Sequence, residues 1–468
     1  MINLEQGDQG PAVAALQNQL IQLGFLFGEA DEDFGPATAQ SLRDFQRRVP
    51  LKPDAILGHR TAAALSQALS APVPFPTSPY RQLRIDAVGF SDEKLPGLDK
   101  GFDSSPFRDQ LPRFAKSLTD APDGVSTIAY PAPPVTFQLF PTLGVVPQFV
   151  EGENGRGGLE FLSDEVAQAC VAVGSFENGS PLRVRWFGRR AAAPNVQFWS
   201  ATKFVAALNL ICQSNRRSPG TPVDRCDVVG KRGGSQQRES LADLFTQMVS
   251  YSKGVAHSNA VAWMLKQIRL TGQPDTQSWL RGISGNSTLF LNGWYGEDAH
   301  LSEARLVGPN GTLVPHSGLD RTRNIVSAYD LTRSLAMVGW HLHLTQGQRL
   351  PAVQWSSLTT AINALAQDTA RYIDIALDRL GLLNQVRSPV VLSKLGYGTT
   401  ARDFPDSPAL TYAAFAQFID IRSNPGRQRS VALALRIPTK PGAGLRHDAR
   451  MATEVTEILR RLFSEQFS

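Results

Sequence analysis

Residues Ala71-Pro-Val-Pro-Phe-Pro-Thr-Ser-Pro79 place four prolines in nine positions. Each proline fixes φ, lacks an amide donor and restricts the residue before it, so neither a helix nor an inner strand can run through. The stretch reads as a stiff, extended linker. The chain on either side must fold separately, and at 468 residues it is long enough for each part to bury its own core. We expect a first unit over residues 1–69 and a second over 135–468. Residues 70–134, rich in Pro, Gly and Asp with little periodicity, read as linker or as a loop-rich strap on the second unit.

Within the first unit, Val13, Leu16, Leu20, Ile21 and Leu23 recur at helical spacing and stop at Gly24. Asp33-Phe34-Gly35 reads as a turn, a second helix carries Leu42, Phe45 and Gln46, and a last one runs from Thr61 to Leu69. Leu4-x-x-Gly7, Val13-x-x-Leu16-Gln17-x-x-Leu20, Leu23-Gly24, Phe45-Gln46 and Asp54-x-Ile56-x-Gly58-x-x-Thr61 resemble the peptidoglycan-binding repeat of cell-wall hydrolases. That resemblance covers the whole segment and implies a three-helix module that holds an enzyme on murein. Ala55 stands where the repeat usually has glycine.

In the second unit, Ala167–Gly174 and Leu182–Phe187 read as strands joined by a turn at Glu177–Ser180. An apolar helix follows over Phe198–Ile211, then a long helical stretch from Leu241 to Ile268, loops, and a helix from Ser327 to Met337. Strands are expected over Pro389–Gly396, Leu410–Asp420 and Ser430–Arg436, and a closing helix over Arg450–Phe463. Strands at both ends of a helical middle make an α/β sandwich: an antiparallel sheet flanked by helices.

The chemistry centres on Ser200-Ala-Thr-Lys203. Residues three apart share a helix face, so hydroxyl and amine can meet. A neutral lysine can take the serine's proton, provided burial or a nearby cation lowers its pKa from about 10.4. Ser91/Lys94 and Ser250/Lys253 match the pattern too, but only Ser200/Lys203 lies in a long apolar run. On spacing alone, a helix-start serine followed by a solvated lysine is the competing reading.

Two strands, a Ser-x-x-Lys helix, a helical middle and a later Lys-x-Gly strand resemble the serine penicillin-recognising enzymes, that is β-lactamases, penicillin-binding proteins and DD-carboxypeptidases. The resemblance implies Ser200 as acylated nucleophile, Lys203 as its proton partner, and the Ser200 N–H as half of an oxyanion hole. The family's Ser-x-Asn motif is broken here, with Lys253–His257 looking like an insertion; Ser252 is the expected relay hydroxyl, Ser258 its competitor, and Asn259 the substrate-amide contact. The third motif falls on Lys394-Leu395-Gly396. There Lys394 would face a substrate carboxylate and help depress Lys203, Gly396 would admit substrate backbone, and Leu395 replaces the usual hydroxyl residue. Neither Glu297 nor Glu303 sits in a deacylating-glutamate context, and His316-Ser-Gly-Leu-Asp-Arg-x-Arg-Asn324 resembles carboxypeptidase-type members, with His316 beside the cleft or simply on a surface loop.

The implied function is a murein-anchored serine hydrolase of the DD-carboxypeptidase or endopeptidase type, with β-lactams as acylating ligands. Alternatives are a β-lactamase or esterase on the same fold, and a non-catalytic murein-binding protein. No cofactor and no metal are expected, because no His/Cys/Asp cluster has ligand spacing and no phosphate loop is present. A net charge of +5 without basic blocks gives nucleic-acid binding no support, and no apolar run is long enough to span a bilayer. Cys170 and Cys212 read as core thiols. The N-terminus shows no signal-peptide pattern, at odds with the cell-envelope location that the function implies.

Overall fold

The structure, a computed structural model, describes residues 3–23, 25–26, 30–49, 51–70, 101–119, 128–131, 133–152, 157–175, 181–398, 408–438 and 444–467. The proline run 71–79, the Ser91/Lys94 pair and the turn expected at 177–180 lie outside these residues.

Helices Pro11–Gln22, Pro36–Arg48 and His59–Ser70 make the first unit. Leu16, Leu20, Phe34, Leu42, Phe45 and Leu65 share its core. The pattern Asp-x-x-x-Gly-x-x-Thr occurs twice, at Asp31–Thr38 and Asp54–Thr61, and each copy is read by one buried glutamine. Gln17 Nε2 donates to the Asp33 carbonyl and Thr38 Oγ1, both at 3.0 Å, and its Oε1 accepts from Glu32 N at 3.1 Å. Gln46 repeats the pattern with the Ile56 carbonyl at 3.0 Å, Thr61 Oγ1 at 3.2 Å and Ala55 N at 2.9 Å. Glu32 and Ala55 both have positive φ, 62° and 63°, which accounts for the glycine usual at the latter position.

The second unit carries the strands β1 (Gln138–Leu139), β2 (Gln168–Ser175), β3 (Arg183–Arg189), β4 (Asp227–Arg232), β5 (Ser235–Ser240), β6 (Phe290–Leu291), β7 (Ser302–Gly308), β8 (Gly311–Val314), β9 (Asn324–Ile325), β10 (Val386–Gly398), β11 (Ala409–Asp420) and β12 (Arg427–Pro438). Six of them form the main antiparallel sheet in the order β1-β3-β2-β12-β11-β10, so β10 is an edge strand. β11 is buried along its whole length because helices cover both faces. Phe415 packs on Trp340 at the end of the Ala328–Gly339 helix, while Phe418, of opposite parity, packs on Phe463 of the closing Gly444–Phe463 helix. The strands and helices expected at both ends of this unit are therefore present.

Two expectations change, and a stretch whose reading was open shows its contacts. The stretch 241–268 is two helices, Leu241–Ser250 and Gly254–Lys266, broken where Tyr251 turns left-handed with φ 54°. Residues 269–326, expected as loops, contain the Thr276–Ser284 helix and strands β6 to β9, of which β7 and β8 join β4 and β5 in a second sheet. Residues 101–119 lie against the second unit: Arg371 Nη2 donates to Ser105 Oγ at 3.2 Å and Gln417 Nε2 to the Ser117 carbonyl at 2.8 Å. These described residues of 70–134 thus contact the second unit, as a strap would.

Candidate active site

Phe198 is buried, and the next four residues, Trp199–Thr202, form one tight 3-10 turn before the Phe204–Arg217 helix begins. Trp199 sits at φ 48°, an uncommon conformation for a bulky residue, of the kind found where surrounding packing overrides local preference. The packing comes from β10. A Cβ on Gly396 would lie 2.5 Å from the Phe198 carbonyl and 2.6 Å from Ala201 N, and one on Gly398 would enter the Trp199 ring. Thr411 Oγ1 ties the same turn to β10, donating within reach of the Phe198 carbonyl at 2.8 Å and the Gly396 carbonyl at 3.0 Å. Ser200 thus rests on the turn pressed against the sheet edge, 9% exposed.

Lys203 is fully buried. Its Nζ donates to Ser258 Oγ at 2.9 Å, and that hydroxyl donates to the Met248 carbonyl at 2.7 Å. Burial, then Lys394, then Lys266 lower the Lys203 pKa to about 6, so the amine is largely neutral at neutral pH. The break at Tyr251 makes this contact. It turns the second helix so that Ser258, in its second turn, faces Lys203, while Ser252 stays exposed between the two helices. Lys253–His257, read as an insertion, leads into that helix and forms its first turn. Asn259 is half-buried on the same helix.

Lys394 has no exposure, and its amine pairs with the buried Asp368 at 3.3 Å. Asp368 also accepts from Ser393 Oγ at 3.0 Å. The amine therefore faces inward, 3.8 Å from the Tyr251 ring centroid, and contributes to the pKa of Lys203 rather than pointing at solvent. Leu395 turns its carbonyl outward, where it accepts from Tyr251 OH at 3.1 Å. In an antiparallel strand each residue's N–H and C=O point the same way and alternate along the chain. Tyr397, two residues on, therefore directs its N–H to the same outer edge, on the strand segment whose neighbours Gly396 and Gly398 press on the Ser200 turn. Glu303 pairs with Lys231 on the small sheet at 2.8 Å, Glu297 makes no hydrogen bond or ion pair among the described residues, and His316 is exposed.

Four contributors carried no motif. Lys266 is buried, donates to the Gly293 carbonyl and Asn324 Oδ1, both at 2.8 Å, and burial pushes its pKa well down. The Tyr295 ring is near both amines, 4.4 Å from Lys266 Nζ and 5.5 Å from Lys203 Nζ, with its hydroxyl 2.9 Å from Thr202 Oγ1. Tyr251 and Asp368 complete the set. A lysine inside a strongly apolar helix such as 254–266, with no acid one turn away, is a sequence signal for Lys266; the others have none.

Chemically, the turn carries Ser200 three residues ahead of a buried, largely neutral amine that is already bonded to a second hydroxyl. Such a set can shuttle a proton between nucleophile and leaving group. Among the described residues no group of three or more His, Cys, Asp and Glu could hold a metal ion, and no helix is long and apolar enough to cross a membrane.

Residues 9–65 match the family model described as "Putative peptidoglycan binding domain". The first unit is thus of the peptidoglycan-binding type. Over 63 residues the chain is 43% identical to an uncharacterized protein encoded in the bpoA1 3' region of Kitasatospora aureofaciens, spanning 13% of this chain and 53% of that protein. The chain therefore covers about half the length of that curated relative. Among solved structures it is similar to a variant of the last common ancestor of Gram-negative class A β-lactamases, at 14% identity over 64% of this chain and 94% of that one, with a TM-score of 0.37. It is also similar to a β-lactamase from Chitinophaga pinensis, at 12% identity over 62% and 93%, TM-score 0.36. A third is a β-lactamase from Xanthomonas campestris pv. campestris, at 17% identity over 63% and 91%, TM-score 0.35.

Proposed function

We propose that this protein is a serine acyl-transfer hydrolase acting on murein stem peptides, with Ser200 as nucleophile. The observation that carries the reading is the 2.9 Å contact between Lys203 Nζ and Ser258 Oγ in a buried pocket where Lys203 loses its proton. Lys203 takes the Ser200 proton as the hydroxyl attacks the acyl carbon. The developing oxyanion is met by the N–H groups of Ser200 and Tyr397. The proton passes through Ser258 to the leaving amine, and water then releases the acyl group. The N-terminal unit raises the local concentration of substrate by binding peptidoglycan.

A specific observation favours esterase or endopeptidase work over carboxypeptidase work. With Lys394 spent on Asp368 and no hydroxyl at Leu395, the third motif offers a substrate C-terminal carboxylate little. Labelling with a fluorescent penicillin tests the whole reading. Wild type should form a covalent adduct and Ser200→Ala none; a folded wild type that stays unlabelled leaves the non-catalytic murein-binding reading. Turnover of nitrocefin, an aryl ester and a D-Ala-D-Ala peptide then ranks lactamase, esterase and peptidase.

A further inference from the structure

If the third motif does not present a cation, another group must read any negative charge on the acyl donor. The loop carrying Tyr295 holds a candidate. Trp294, next to Tyr295, is 42% exposed. It is held by the pairing of this loop with residues 322–325: Asn324 Nδ2 donates to the Trp294 carbonyl at 2.9 Å, Gly293 N to the Arg323 carbonyl at 3.2 Å, and Thr322 N to the Asn292 carbonyl at 3.2 Å. The same Asn324 accepts from Lys266, so the loop is anchored to the floor of the Lys203 pocket. Arg321 ends this pairing. Its guanidinium lies 4.6 Å from the Trp294 ring centroid and 5.3 Å from that of Trp263, which stands one turn after Asn259 on the Ser258 helix.

Both indoles lie within cation–π range of the guanidinium carbon, and an indole face cannot satisfy the guanidinium N–H groups, which suit a carboxylate. Arg321 remains 51% exposed, and the acid nearest it, Asp298 at 3.9 Å, is 94% exposed and so a weak competitor. Lys203, Lys266 and Lys394 are all buried. We propose that Arg321, packed against Trp263 and Trp294, recognises a carboxylate on the acyl-donor side chain and so selects anionic donors. The inference rests on the acyl-transfer reading of Ser200. It names a specificity residue that takes no part in bond breaking.

The test compares Ser200 acylation rates for two penicillins that share a nucleus, one with a carboxybenzyl and one with a plain benzyl side chain, read by intact-protein mass after quenching. Arg321→Gln should lower the acid-to-neutral rate ratio about tenfold, with the neutral rate within about twofold of wild type. Arg321→Lys, which keeps the charge without the stacked plane, should fall between. An unchanged ratio in Arg321→Gln overturns the proposal, as does an equal loss for both penicillins, which marks the stack as structural. A wild type acylated by neither penicillin overturns the Ser200 reading instead, and this one with it.

Discussion

Replacing Lys203 by Met should stabilise the protein while abolishing acylation, and the stabilisation should depend on pH. The amine titrates near 10.5 when exposed and near about 6 in the folded chain. Between those values the unfolded chain binds one proton more, so wild-type stability rises by about 1.4 kcal/mol per pH unit across the window. Near pH 7 the buried amine thus costs about 5 kcal/mol relative to a residue that does not titrate. Met restores this but forfeits the hydrogen bond to Ser258, worth about 1 kcal/mol. The variant should be more stable by about 3–4 kcal/mol near pH 7, with the gap closing towards zero near pH 10. Urea unfolding of both proteins at stepped pH, followed by near-ultraviolet circular dichroism, measures it. A gap that stays constant with pH would mean that Lys203 keeps its proton on folding, and the base assigned to Ser200 would be lost.

Ser258→Ala should slow penicillin acylation by about a hundredfold or more, the scale of losing a proton-transfer group, while Ser252→Ala stays within about twofold. Equal effects would undo the assignment of the relay. Gly396→Ala drives a Cβ into the Phe198 carbonyl and Ala201 N; acylation should fall by more than about tenfold because the nucleophile's turn must move, and a crystal structure of the variant would show the displacement. Ala55→Gly relieves a positive φ at no loss of hydrogen bonding, so the first unit should gain about 0.5–1 kcal/mol, read from thermal unfolding of the full chain as a rise in the midpoint of the transition assigned to that unit.

That Ser200 and Lys203 share one turn was legible because their relation is local: three residues of sequence decide it. The repeated Asp-x-x-x-Gly-x-x-Thr pattern was partly legible for the same reason, although only the folded chain shows why each copy needs a glutamine. The sequence placed the relay hydroxyl at Ser252, whereas the hydroxyl bonded to Lys203 is that of its competitor, Ser258. The outcome depends on the left-handed Tyr251, a residue type with no preference for that conformation, which the tertiary contact with Leu395 helps to impose. Asp368 and Lys394 meet across 26 residues, and spacing carries no sign of it. The small second sheet did leave a signal that went unread. Gly233-Gly234, both at positive φ, make the turn between β4 and β5, and the Asn310-Gly311 dipeptide marks the one that leads into β8.

The bond from Tyr251 to Leu395 also bears on how far a guest chain could zip along this protein. A strand docking beside β10 looks for alternate donors and acceptors on the outer edge, and at Leu395 the acceptor is already occupied by the phenol. Moving toward Gly398, Tyr397 is the next residue to offer both groups outward. The tyrosine therefore works as a doorstop: a visiting backbone can engage the edge from the Tyr397 end but cannot run past Leu395 without displacing it. Such an edge has room for only a short run of backbone pairing, and it shields the strand rim from pairing with a second copy of the sheet.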